Sequence, residues 1–132
     1  MDTNAKILDP IKKSSILPKL MEELNWFWHD EQLRRKEFYE WLTPNIKAEW
    51  IEGEIIMHSP VNFAHNKVTG NLFFLLKHFT FIKQKNDYVG IEKILTRFTR
   101  NDYEPDICYF SEAKAEKFKS DQNIFPVPDF IV

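Results

Sequence analysis

One cysteine and three glycines in 132 residues exclude several classes of chemistry. Cys108 has no partner for an internal disulfide, which favours a reducing compartment. One thiol with scattered histidines cannot supply the ligand spacing of a zinc site. A lone cysteine inside an apolar strand is also a poor nucleophile candidate. Three glycines leave no phosphate-cradling loop. A formal net charge of −2 excludes a uniformly basic nucleic-acid binder, although not a local basic face. Long apolar runs are missing too. The densest, from Leu72 to Ile82, is broken by Lys77 and His78 and is too short and too polar to span a bilayer. The N-terminal MDTNAKILDP lacks the apolar segment of a signal peptide. The expectation is a soluble cytoplasmic protein with no membrane partner.

What is abundant is aromatic and apolar. The chain is 43% hydrophobic and 15% aromatic, with twelve Phe and four Trp, a composition for a packed core and not for disorder. Its length predicts one domain that buries roughly two-thirds of its unfolded surface. Residues 1–19, with Pro10 and Pro18 and weak periodicity, read as a flexible arm, and 20–132 as the domain.

Leu20, Leu24, Phe27, Leu33, Phe38 and Trp41 give an imperfect helical stripe that Pro44 stops. AEWIEGEIIMHS reads as a hairpin turning on Glu52-Gly53, an acidic-Gly pair suited to positive φ. After Ser59-Pro60, Asn62 can cap a helix running to Lys83. Val68, Leu72, Leu75, Leu76 and Phe79 recur at helical spacing, and Phe73, Phe74 and Phe81 widen the surface, so this helix is expected to be buried on more than one side. YVGI and ILTRF then read as strands, with Ile94, Thr96 and Phe98 on one face and Leu95, Arg97 and Thr99 on the other. Asp106–Phe110 is a further strand, SEAKAEKFK a short helix with Ser111 as its cap, and Asp129–Val132 the start of another strand. The fold class is α/β, a mixed sheet flanked by helices.

Pro105-Asp106 places a carboxylate at the mouth of a strand, because proline is tolerated at a strand's first position. Such a carboxylate is a hard oxygen ligand suited to Mg²⁺. On spacing alone it reads first as a turn acid, since Pro-Asp turns are common. Metal-assisted phosphodiester cleavage needs several converging acids and often a lysine, the compact form being acid-x-lysine on a strand, where a period of two puts both on one face. The one Glu-x-Lys, Glu112-Ala113-Lys114, falls on the short helix, where those side chains diverge, and is rejected. Glu52 is spent on the turn, leaving Glu49 and Glu54 as freer acids. His65 sits in the first turn of the long helix, where anions are favoured. Lys77, Lys83, Lys85, Lys93, Arg97 and Arg100, interleaved with Phe79, Phe81 and Tyr88, suit either a nucleic-acid backbone or solvent.

Taken in order, AEWIEGEIIMHSPVNFAHNKVTGNLFFLL, YEPDICYFS and PVPDFIV resemble the Uma-type putative restriction endonuclease family, over the stretch from about Lys47 to Val132. That family is similar to the PD-(D/E)xK nucleases. The resemblance implies a restriction-endonuclease-like core, Mg²⁺-dependent cleavage of DNA, Asp106 as the metal-binding acid, and Glu49 or Glu54 with His65 as supporting site residues. It implies a structural, strand-starting role for Asp129. In the family the second Pro-Asp strand runs into Val-Glu-Val-x-Ser-Pro, whose Glu joins the metal site and would follow Val132. The domain is therefore expected to be C-terminally truncated and catalytically incomplete. The alternatives are a non-catalytic DNA- or protein-binding module, with a possible homodimer, and a truncated product without its own activity.

Overall fold

The structure, a computed structural model, describes residues 3–132. The chain divides into two compact units, Met1–Trp41 and Leu42–Val132.

The first unit holds helices α1 (Thr3–Lys12) and α2 (Leu17–Trp41). The segment expected as an arm, 1–19, contains α1 and the start of α2, and its first two residues lie outside the described residues. Pro18 falls in the first turn of α2, where a missing N–H leaves no intrahelical bond unmade. The buried residues of α2 are Glu31, Arg35 and Phe38, spaced four and three apart on one face. Of the six apolar residues expected to form the stripe, only Phe38 is buried, and Leu24, Phe27, Leu33 and Trp41 are exposed. Leu24 and Phe27 lie on the same side as Glu31, Arg35 and Phe38, but burial is confined to the C-terminal half of the helix, and Leu33 points away from that face.

The second unit contains β1 (Ala48–Ile51), β2 (Glu54–Met57), α3 (Phe63–Ile82), β3 (Tyr88–Ile91), β4 (Leu95–Arg97), β5 (Asp102–Tyr103), β6 (Ile107–Phe110), α4 (Glu112–Ala115), β7 (Ile124–Phe125) and β8 (Phe130–Ile131). It is a mixed α/β arrangement, as the sequence predicts. One sheet has the order β2-β1-β5-β4-β7 and is mixed, since β4 and β7 run parallel. The other, β3-β6-β8, is antiparallel. The hairpin turns on Glu52 and Gly53, both at positive φ (52° and 90°), as a two-residue connection requires. Between β3 and β4, which belong to different sheets, the chain passes through Glu92 at φ 53°, in the left-handed region.

Tyr88, Phe110, Phe118 and Phe125 meet with ring centroids 5.0–6.4 Å apart and tie strands of both sheets together. Ala48, Trp50, Val89, Leu95, Ile107 and Cys108 are buried with Phe110. Burial pushes the Cys108 thiol up to about 11, in keeping with an unreactive cysteine. Leu95 and Thr96 are both buried, so β4 is covered on both faces at its first two residues, and Arg97 is exposed.

Asn62 caps α3, its Oδ1 accepting the His65 N–H at 2.9 Å. The expected burial on several sides is not found. Thr80 is the one buried residue of α3, and Thr69, Leu72, Phe73 and Leu76 complete a single half-covered stripe. Phe63, Phe74, Leu75 and Phe81 are exposed, because among the described residues one narrow face of the helix meets the strands. The Ser111 side chain makes no cap hydrogen bond. Instead Asp129 Oδ2 accepts the Ser111 N–H and Asp87 Oδ1 the Glu112 N–H, each at 2.8 Å.

Candidate active site

The site begins with the alternation of β1. Ala48 and Trp50 point into the core, and Lys47 and Glu49, half-buried, share the opposite face. The register pairs Ala48 with Met57 and Glu49 with Ile56. His58 then extends the ladder by donating its N–H to the Lys47 carbonyl at 3.1 Å. Glu49 and His58 thereby become diagonal neighbours on one face, and His58 Nε2 lies 3.1 Å from Glu49 Oε2.

The second component is the corner Glu104-Pro105-Asp106 between β5 and β6. The Glu104 N–H donates to Glu49 Oε1 at 2.8 Å, and the Asp106 carbonyl accepts from the Glu92 N–H. The Asp106 carboxylate faces two side-chain nitrogens: His65 Nε2 is 3.0 Å from Oδ2, and Lys47 Nζ is 3.6 Å from Oδ1. The cap at Asn62 fixes the first turn of α3 and so carries His65 to Asp106.

Glu104 itself is 5% exposed. Burial raises its carboxyl pKa, against the opposing pull of Lys47, His58 and Lys93 and with help from the Glu49 charge. Its Oε2 has no hydrogen-bond partner. Lys93 is held by its own bond to the Pro44 carbonyl.

Of the four expected residues, Asp106 and His65 meet directly, and Glu49 joins them only through the Glu104 N–H. Glu54 does not join them. It shares their sheet face but pairs with Ile51, four residues along β2 from His58, on the order of 13 Å at the usual strand rise. Lys47, His58 and Glu104 were not expected. Lys47-Ala48-Glu49 is the lysine-and-acid strand pair sought in the sequence, written in reverse order. The forward version, on α4, is spent elsewhere, with Lys114 Nζ 2.7 Å from Asp129 Oδ1 and 2.8 Å from the Val127 carbonyl.

A metal fits this arrangement poorly. Among the described residues no group of three or more His, Cys, Asp or Glu is placed to hold a metal ion. The Asp106 oxygens face Lys47 and His65, and the Glu49 oxygens face His58 and the Glu104 N–H. Asp106 and Glu49 are thus already met by the protein's own donors, and the unpartnered Glu104 Oε2 is a single ligand atom.

The model of the Uma2 family, described as putative restriction endonuclease, matches residues 35–132, which include every residue of this cluster. The chain belongs to the Uma2 family. A crystal structure of a putative nuclease belonging to DUF820 from Anabaena variabilis ATCC 29413 has a similar fold, with a TM-score of 0.62 at 20% identity. That match covers 73% of this chain and 54% of the other, so the chain spans about half the length of the solved nuclease. No curated protein matches. No described helix is long and apolar enough to cross a membrane.

Proposed function

We propose that this Uma2 domain is a cytoplasmic, restriction-endonuclease-like module that engages the phosphodiester backbone of DNA and cleaves it weakly or not at all. The observation that carries the reading is the convergence of Asp106, His65 and Lys47, an acid flanked by an imidazole and a lysine ammonium at the end of a sheet. Lys47 and His65 offer donors that a phosphate oxygen can take over from Asp106. Asp106 is the acid to which the family resemblance assigns Mg²⁺. Its oxygens face Lys47 and His65, and among the described residues no third ligand group joins it.

The test is nicking of supercoiled plasmid in Mg²⁺ or Mn²⁺, comparing the chain with Asp106→Ala. Little cleavage by either protein is expected, together with DNA binding that weakens as salt rises. Robust nicking abolished by Asp106→Ala would overturn the claim of weak catalysis. Binding that does not change across a salt titration would overturn the phosphate contact.

A second reading, an assembly module that pairs with another copy, is favoured by one observation. Phe130 and Ile131 of β8 are exposed on an edge strand of the smaller sheet, and open strand edges recruit further strands. Light scattering that finds a strict monomer at high concentration excludes it.

A further inference from the structure

The resemblance implies Glu49 as a supporting residue of the site, and the geometry sharpens that role. Both of its oxygens are used inside the protein, one by the Glu104 N–H at 2.8 Å and the other by His58 at 3.1 Å. Its side chain is 16% exposed. The β1–β5 ladder contains one residue pair, Trp50 with Asp102. Past Tyr103 the chain turns the corner into β6, and Pro105 has no N–H to donate. The Glu104 N–H is therefore the remaining backbone donor between Tyr103 and Asp106, and a side chain 55 residues away accepts it. Glu49 does here what a ladder carbonyl would do in a longer strand, and His58 fixes the other end of its carboxylate.

We propose that Glu49 and His58 are a positioning pair. Glu49 holds the Glu104-Pro105-Asp106 corner against β1, and this sets Asp106 in front of His65 and Lys47. Glu49 does not itself meet substrate. The alternative, a carboxylate whose charge serves a ligand, makes a different demand on the side chain. A backbone N–H can be held by an amide oxygen as well as by a carboxylate oxygen, whereas a charge-dependent role cannot survive neutralisation.

The experiment uses the full chain and compares Glu49→Gln, Glu49→Ala and His58→Ala. It needs neither DNA nor metal for its first readout, the hydrogen-exchange rate of the Glu104 amide. Its second is the ¹⁵N signal of the His65 imidazole, which reports contact with Asp106. Glu49→Gln is expected to keep Glu104 exchange within about threefold of the parent and to keep the His65 signal. Glu49→Ala is expected to speed exchange at least tenfold and shift His65. His58→Ala should fall between the two. Unchanged Glu104 exchange in Glu49→Ala overturns the proposal. So does a Glu49→Gln protein that matches Glu49→Ala, since charge would then be what matters. If Glu49→Ala fails to fold, the Glu49→Gln and His58→Ala pair still decides: the proposal requires retained protection in the first and reduced protection in the second. The inference rests on the proposed site only for its meaning in DNA binding, measured separately by fluorescence anisotropy on a duplex at low salt. The exchange result stands even if the chain binds no DNA, and loss of DNA binding with intact exchange counts against the nuclease reading alone.

Discussion

Asp129 shows how single side chains divide between chemistry and structure. Its sequence context repeats that of Asp106, yet its neighbours differ. The Lys114 ammonium beside it, and then the Ser111 N–H, hold its carboxyl down to about 2 from an ordinary 3.8. A carboxyl depressed on folding contributes stability that is complete above the unfolded value and is lost as pH falls through the folded one. The chain is therefore expected to lose stability between about pH 4 and pH 2. Asp129→Asn should be less stable at pH 6 and show a flatter acid limb, as read by urea titration at several pH values. An unchanged acid limb in the variant would assign the loss to other carboxylates. Asp106 and Asp129 were both legible as strand-mouth acids from Pro-Asp alone. Which of them faces His65 and which faces Lys114 was not, because those partners lie far along the chain. Lys47 falls outside the acid-x-lysine pattern because it precedes its acid, although a period-two strand is indifferent to the order.

At the scale of elements, the features that could be read were those with a local physical cause. Asn62 and the Glu52-Gly53 turn each act within three residues, and both behave as predicted. The left-handed residue between β3 and β4 is Glu92, with no glycine to announce it. Gly90 had no local reason to be noticed either, since its cause lies across the sheet. It pairs with Cys108, and a Cβ built there would sit 2.9 Å from Cys108 Sγ and 2.9 Å from Ile94 Cγ1. Gly90→Ala is expected to destabilise by about 1–3 kcal/mol, as overpacking in a filled core does. Cys108→Ala opens space beside one of the two contacts, so the double variant should recover part of the loss. Thermal unfolding of the four proteins measures the coupling, and strict additivity would remove the steric account.

At the scale of the whole molecule, the largest departure from expectation is the surface of α3. A helix apolar on every side ordinarily belongs to an interior, but Phe63 is 81% and Phe81 80% exposed here, with Phe74, Leu75 and Ile82 also open. Sequence periodicity shows that a helix has apolar faces, and it cannot show how many neighbours the fold supplies to cover them. Exposed apolar side chains of this kind promote dye binding and association. The native chain is accordingly expected to enhance the fluorescence of an apolar dye and to self-associate as sulfate is added, since sulfate strengthens apolar burial. Phe63→Ser with Phe81→Ser tests where that behaviour comes from. Both rings are mostly in water already, so each substitution should change stability by no more than about 0.5 kcal/mol, and circular dichroism should be unchanged. Dye fluorescence and the sulfate-induced rise in scattering should both fall by at least half. If the variant keeps its fold and the signals persist at parental strength, α3 is not the sticky face, and the exposed apolar residues of α2 and β8 become the surfaces to test.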